Sequence, residues 1–203
     1  MSEHPILFSG PMVRAILAGA KTQTRRVVRW PVLGPSDGRK RRVYTESDAA
    51  EINASPRLCP FGAPGDLLWV RETWRADDFD DARTLYATDM PEDALVAGRG
   101  VVRWHPSIHM PRGRSRLSLR VTSVRVERLH AITEDDARAE GITSLSVQTG
   151  PHTLVGRPVA TEFGALWRSI NGPASWDANP WVWVVGFERA EVSRRGATRY
   201  KKA

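Results

Sequence analysis

The run Trp181-Val-Trp-Val-Val-Gly-Phe187 leaves this chain few ways to fold. Successive side chains on a strand point to opposite faces. Here both faces are apolar, so the centre of the strand must be covered on both sides. A second strand is read over 115–129, where Leu117, Leu119 and Val121 alternate with polar residues and Val124 and Val126 continue in the opposite phase. The change of phase near Ser123 predicts a bulge or kink, a device that a closed barrel needs. In Leu67-Leu-Trp-Val-Arg-Glu-Thr-Trp74, alternation puts Leu68, Val70, Glu72 and Trp74 on one face and Leu67, Trp69, Arg71 and Thr73 on the other. Each face mixes apolar and charged residues, as in a strand running from a core to a polar mouth. Helices are read around these strands. One spans 161–171 on Phe163, Leu166, Trp167 and Ile170 and stops at Gly172-Pro173. Another follows Thr133, an N-cap with Glu134, Asp135 and Asp136 in the first turn, and ends near Gly141.

The N-terminal stretch joins local structure to chemistry. Ile6, Leu7 and Phe8 form a short apolar strand, Pro11 suits a first helical position, and Val13, Ile16 and Leu17 share a helical face. Gly19 is placed to end that helix in the left-handed conformation. Lys21, Thr22, Gln23, Thr24, Arg25 and Arg26 follow at once. In an extended chain Thr22, Thr24 and Arg26 share one face, and the stem of Lys21 is long enough to bring its amine over it. A hydroxyl, an amine and a guanidinium then converge beyond the helix end.

The spacing Gly19-x-Lys21-x-x-Thr24-x-Arg26 resembles the signature of the ASCH domains, a branch of the PUA-like β-barrel superfamily. Three later stretches follow in family order: Pro64 to Trp74, Leu129 to Ile142 and Trp181 to Glu188. The wording around Pro106-Ser-Ile-His-Met-Pro111 and Ser175 to Trp181 is similar to longer ASCH-like proteins of phages and prophages. Many family members carry Glu where this chain has Thr24; an amidohydrolase branch also has Thr there. The resemblance implies a single α+β domain over 1–192, a small mixed barrel flanked by two or three helices. It leaves insertions near 31–58, 77–104 and 143–158, and a basic, disordered tail over 193–203.

Composition narrows the partners. With 203 residues and 41% hydrophobic content, one ordinary core is expected. No run of about 18 apolar residues exists, so no membrane span is expected. Met1-Ser-Glu-His-Pro5 does not read as a secretory leader. The single cysteine, Cys59, rules out an internal disulfide and a cysteine cluster for zinc, and points to a reducing cytoplasm. A net charge of +7 suits a polyanionic partner. The near-absence of lysine outside Lys21, Lys40, Lys201 and Lys202 is equally compatible with a GC-rich genome. Residues 30–59 read as a long surface excursion with a basic run at Arg39 to Arg42, which either clamps phosphate or is a solvated loop tip. His105 and His109 lie in a proline-bounded loop without metal-site spacing, so they read as structural or substrate-contacting residues. Trp104 and Met110 either plug one end of the barrel or stack a base. No metal or other cofactor is expected.

Members of the amidohydrolase branch remove the acetyl group from cytidine acetylated on its exocyclic amine. The resemblance carries their Lys, Thr and Glu onto Lys21, Thr24 and Glu140, with Arg26, Arg71, Glu72, Trp74 and His109 as further contacts to substrate. Glu72 reads equally as a rim carboxylate paired with an arginine. The expected partner is a modified nucleoside or a single-stranded nucleic acid. Two alternatives stay open for the same cleft: a module that binds RNA or DNA without catalysis, and a metal-free ribonuclease. The expected geometry is a single solvent-reachable cavity lined by Lys21, Thr24 and Glu140, with Arg26 at its edge.

Overall fold

A computed structural model describes residues 1–33, 43–80, 82–90, 103–142 and 159–190. The basic run Arg39–Arg42, the insertion over 143–158 and the tail over 193–203 lie outside the described residues. The elements are, in chain order, β1 (Glu3–Leu7), α1 (Gly10–Leu17), β2 (Gln23–Val27), β3 (Val32–Leu33), β4 (Val43–Tyr44), α2 (Ala49–Ala54), β5 (Leu67–Arg71), β6 (Trp74–Ala76), β7 (Thr84–Tyr86), β8 (Ser118–Arg128), α3 (Glu134–Ala139), α4 (Val159–Asn171) and β9 (Trp181–Ala190). Among the described residues no helix is long and apolar enough to cross a membrane.

The mixed α+β architecture expected from the sequence is present. The main sheet has five strands in the order β1-β5-β8-β9-β2. β1 runs parallel to β5 and every other pair is antiparallel. β9 lies between its two longest-range partners, and its apolar run is divided between two cores. Trp183, Val185 and Phe187 face the larger one, with Ile6, Val13, Leu68, Leu119 and Val121. Val182 and Val184 face the smaller one, with Leu129, Ala137, Phe163 and Trp167. A strand buried on both faces has no room for a polar side chain, since each would need a partner to offset its lost hydration. The change of phase in β8 is a register shift between Val121 and Ser123, opposite Gly186. A Cβ on Gly186 would lie 2.4 Å from the Ser123 hydroxyl oxygen, so the bulge and the glycine go together.

Strand pairing among the described residues leaves β1 and β2 as the two edges of the sheet. The Arg26 guanidinium nevertheless donates to the Leu7 carbonyl at 2.5 Å, joining the β2 edge to the end of β1. Phe8 packs on Phe187 with ring centroids 6.0 Å apart. The sheet is thus curled, and α1 spans the junction.

The surface reading of residues 30–59 is corrected by burial. Val32, Tyr44, Ile52, Leu58 and Cys59 all belong to the larger core, and Ile52 is fully buried. α2 is too short to show a helical period in sequence beyond the single pair Ala49 and Ile52. It is pinned by Asn53, whose side-chain amide donates to the Val126 carbonyl and accepts from the Val126 N–H, as a neighbouring strand would.

Candidate active site at the edge of β2

The geometry of the site begins with two glycines. α1 ends at Gly19, at φ +76, and α3 is followed by Gly141, at φ +86. Both occupy the left-handed region that glycine reaches without strain. Gly141 is also tightly approached: a Cβ there would lie 3.0 Å from the Lys21 Cβ and 3.1 Å from that of Ala15. With no side chain at 141, the chain after α3 lies against the turn after α1. Lys21 and Glu140 form an isolated antiparallel bridge, and the Thr22 N–H donates to the Ala139 carbonyl at 2.8 Å.

α3 is a well-specified platform for this contact. Thr133 accepts from the Asp136 N–H at 3.1 Å, and the Asp136 carboxylate accepts from the Thr133 N–H at 3.2 Å, a reciprocal capping box. Asp136 and Glu140, four residues apart, then lie on the same face of the segment and meet β2. The Lys21 ammonium donates to the Glu140 carboxylate at 2.7 Å and to its carbonyl at 2.8 Å. A cation at the C-terminal end of a helix is also favoured by the helix dipole.

Arg25 joins this pair, a residue that alternation places on the face away from Thr24. Its guanidinium, with a side chain 0% exposed, contacts Glu140 at 3.3 Å, Glu127 at 2.7 Å and Asp136 at 3.0 Å. Arg125 closes the network on Glu127 at 2.8 Å and Asp136 at 3.0 Å. The three cations Lys21, Arg25 and Arg125 thereby face the three carboxylates Glu127, Asp136 and Glu140. Such balance is what allows charges to be buried at all. Burial raises the Asp136 pKa, but the hydrogen bonds from Gln23 and the Thr133 backbone, with the charges of Arg25 and Arg125, hold it well below the usual carboxylate range. Burial is the largest influence on Lys21 and lowers its pKa below the ordinary 10.5; Glu140 opposes the shift, and the positive charges of Arg26 and Arg25 add to it.

Thr24, Arg25, Arg26 and Glu140 line one cavity of about 900 Å³. Thr24 is 3% and Glu140 6% exposed, so both are buried residues of its lining. Its lining also includes Phe61, Pro31 and Leu33 and, from α4, Leu166, Trp167 and Ile170. Lys21 differs from expectation: it is not among the lining residues, but stands behind Glu140 and meets the cavity through that carboxylate. Its ammonium and the Arg26 guanidinium lie over the same Phe8 ring, at 5.7 and 5.4 Å from the centroid. Cys59 also lines the cavity, but burial pushes its thiol up to about 12, which leaves essentially no thiolate at neutral pH.

The remaining sequence candidates lie outside this cavity. Glu72, 1% exposed, accepts two hydrogen bonds from Arg116 at 2.9 Å and one from Thr88 at 2.7 Å. Burial alternates as expected over 68–74, but the strand ends at Arg71, and the Glu72 carboxylate turns toward Arg116 rather than the cavity. Trp74 stacks on His105 at 4.7 Å, with the Arg114 guanidinium 5.0 Å from its ring. Arg71 lies over Trp69 at 5.3 Å and donates to the carbonyls of Met110 and Ile108. His109 is exposed in the turn Ser107–His109. These contacts hold the loop 104–116 to the sheet. Glu72→Ala should accordingly lower stability by about 2–3 kcal/mol, the scale of lost hydrogen bonds to a charged group, and leave ligand binding in the cavity intact. Urea unfolding together with a binding titration checks this; loss of binding with stability unchanged would return Glu72 to the site.

Among the described residues no group of three or more His, Cys, Asp or Glu side chains is placed to hold a metal ion. No protein-family model matches the chain. No curated protein matches it either. Among solved structures it is similar to an ASCH domain from Lactobacillus crispatus JV V101, with 12% identity, 93% of this chain and 79% of that chain covered, and a TM-score of 0.41. It is also similar to a protein of Enterococcus faecalis V583 in the family DUF984, with 10% identity, 97% and 85% covered, and a TM-score of 0.42.

Proposed function

We propose that the cavity hydrolyses the acyl amide of a modified nucleobase such as cytidine acetylated on its exocyclic amine. The observation that carries this reading is the 2.7 Å contact of Lys21 with Glu140, residues 119 apart in sequence, beside a cavity that Thr24 and Glu140 both line. The Thr24 oxygen attacks the amide carbonyl, and its proton passes to the Lys21–Glu140 pair. The pair returns a proton to the exocyclic nitrogen as the carbon–nitrogen bond breaks. Water then attacks the acyl-threonine along the same proton route, releasing the acid and restoring the hydroxyl. The buried position of the pair supports this role, because an ammonium in water stays protonated at neutral pH and is no base. The curled sheet, its edges joined by Arg26, is read here as the wall of a small barrel whose mouth is the cavity.

One observation favours a second reading, a module that binds nucleic acid or nucleoside without turnover: Lys21 and Glu140 satisfy each other, as a purely structural ion pair would. Incubation with acetylated cytidine separates the two. Hydrolysis releases acetate and cytidine, with kcat/KM rising with pH along a limb that lies below the ordinary lysine value of 10.5. Arg26→Gln removes a charge that depresses the Lys21 pKa, so the limb should move to higher pH. Binding with no acetate released at any pH would discard the hydrolase reading.

A further inference from the structure

We propose that the exposed rim of the cavity is a phosphate subsite made by Arg29 and Arg57, so that the ligand is a nucleoside monophosphate rather than a free nucleoside. The inference rests on the nucleobase reading above but not on hydrolysis. Several other arginines among the described residues are matched with carboxylates. Arg25, Arg112, Arg116, Arg125, Arg128 and Arg138 each have one within 3.5 Å. Arg29 and Arg57 have no acidic partner among the described residues. They come from separate parts of the chain, Arg29 just beyond β2 and Arg57 in the turn Pro56–Leu58, yet both are exposed and line the same cavity.

Their exposure gives the ligand its polarity. Thr24 and Glu140 are buried lining residues, apolar side chains make up much of the remaining lining, and the two guanidiniums stand at solvent. Thr24 and Arg29 are five residues apart, so their Cα atoms are separated by at most ~17 Å. A base, a ribose and a 5′-phosphate fit such a span once an arginine side chain reaches inward. Two guanidinium forks match the oxygens of a phosphate monoester, which carries close to two negative charges at neutral pH. An uncharged nucleoside offers them nothing to bind. The apolar lining suits a base and a sugar, which present faces rather than charge.

The test compares cytidine, cytidine 5′-monophosphate and a short cytidine-containing RNA without terminal phosphates, by titration calorimetry on the full chain. The monophosphate should bind at least tenfold more tightly than cytidine at low salt, with the advantage shrinking as salt rises. In Arg29→Gln/Arg57→Gln its affinity should fall to that of cytidine; both side chains are exposed, so folding is not at issue. Equal affinities in the unmodified protein, or a preference that survives the double substitution, would overturn the subsite. Tighter binding of the RNA than of the monophosphate would replace the mononucleotide with a phosphodiester in a polymer. If the monophosphate preference holds while acetylated cytidine yields no acetate, the phosphate subsite stands and the hydrolase reading falls alone.

Discussion

Glu140→Leu is expected to lower the stability of the protein by about 3–5 kcal/mol, the scale on which removing one member of a buried ion pair acts. Glu140 neutralises two cations at once: Lys21 at 2.7 Å, with a side chain 1% exposed, and Arg25 at 3.3 Å, with a side chain 0% exposed. Without the carboxylate, Lys21 loses its ion-pair partner, whereas Arg25 keeps Glu127 and Asp136. Most of the loss is therefore the cost of an unpaired buried ammonium. Lys21→Met should cost less, because the Glu140 carboxylate it leaves behind still has Arg25. The double variant Lys21→Met/Glu140→Leu should regain part of the loss, since neither charge then needs a partner, and the coupling gives the sign of the interaction directly. Denaturant midpoints at constant m-value measure all three. A Glu140→Leu protein within about 1 kcal/mol of the parent would mean that water reaches Lys21. The contact of α3 with the α1 turn would then be looser than the bridge between Lys21 and Glu140 implies.

The features legible in the sequence were those governed by local rules. The doubly apolar run 181–187, the phase change at Ser123, the Thr133 cap and the turn glycines Gly19 and Gly141 each follow from side-chain alternation or backbone sterics, and each occupies the structural position those rules imply. The meeting of Lys21 with Glu140 is not local. It was reached through family resemblance, and its physical cause lies in the absence of a side chain at Gly141. The sequence reads Arg25 only as a charge beside Lys21 and not as a member of the site, because strand alternation sorts residues into faces without saying which face is wet. The face of Arg25 is covered by α3 and α4, and its cation lies 5.9 Å from the Phe163 ring centre. The i, i+4 acidic pair Asp136 and Glu140 was the available signal, since two carboxylates on one helical face require a cation opposite. α2 reads as surface because a six-residue helix offers a single apolar repeat, and Asn53 binds β8 through contacts that hydropathy does not register.

Thr24 separates catalysis from structure most sharply. On the proposed hydrolase function, Thr24→Val should reduce deacylation by at least about 10³-fold, the scale seen when a catalytic nucleophile is removed, whereas Thr24→Ser should retain measurable turnover because the attacking oxygen remains. Stability should scarcely change in the Val variant. No hydrogen bond among the described residues involves the Thr24 hydroxyl, so nothing is left unpaired when it is replaced by a methyl group of similar shape. A structural threonine would give the reverse pattern, since losing a buried hydroxyl that held a backbone group would lower the unfolding midpoint before it lowered the rate. Single-turnover assays on acetylated cytidine, run beside unfolding curves for both variants, distinguish the two. Full activity in Thr24→Val would remove Thr24 as nucleophile. The attack would then fall to a water molecule held in the cavity by Glu140, which lines it with Lys21 behind.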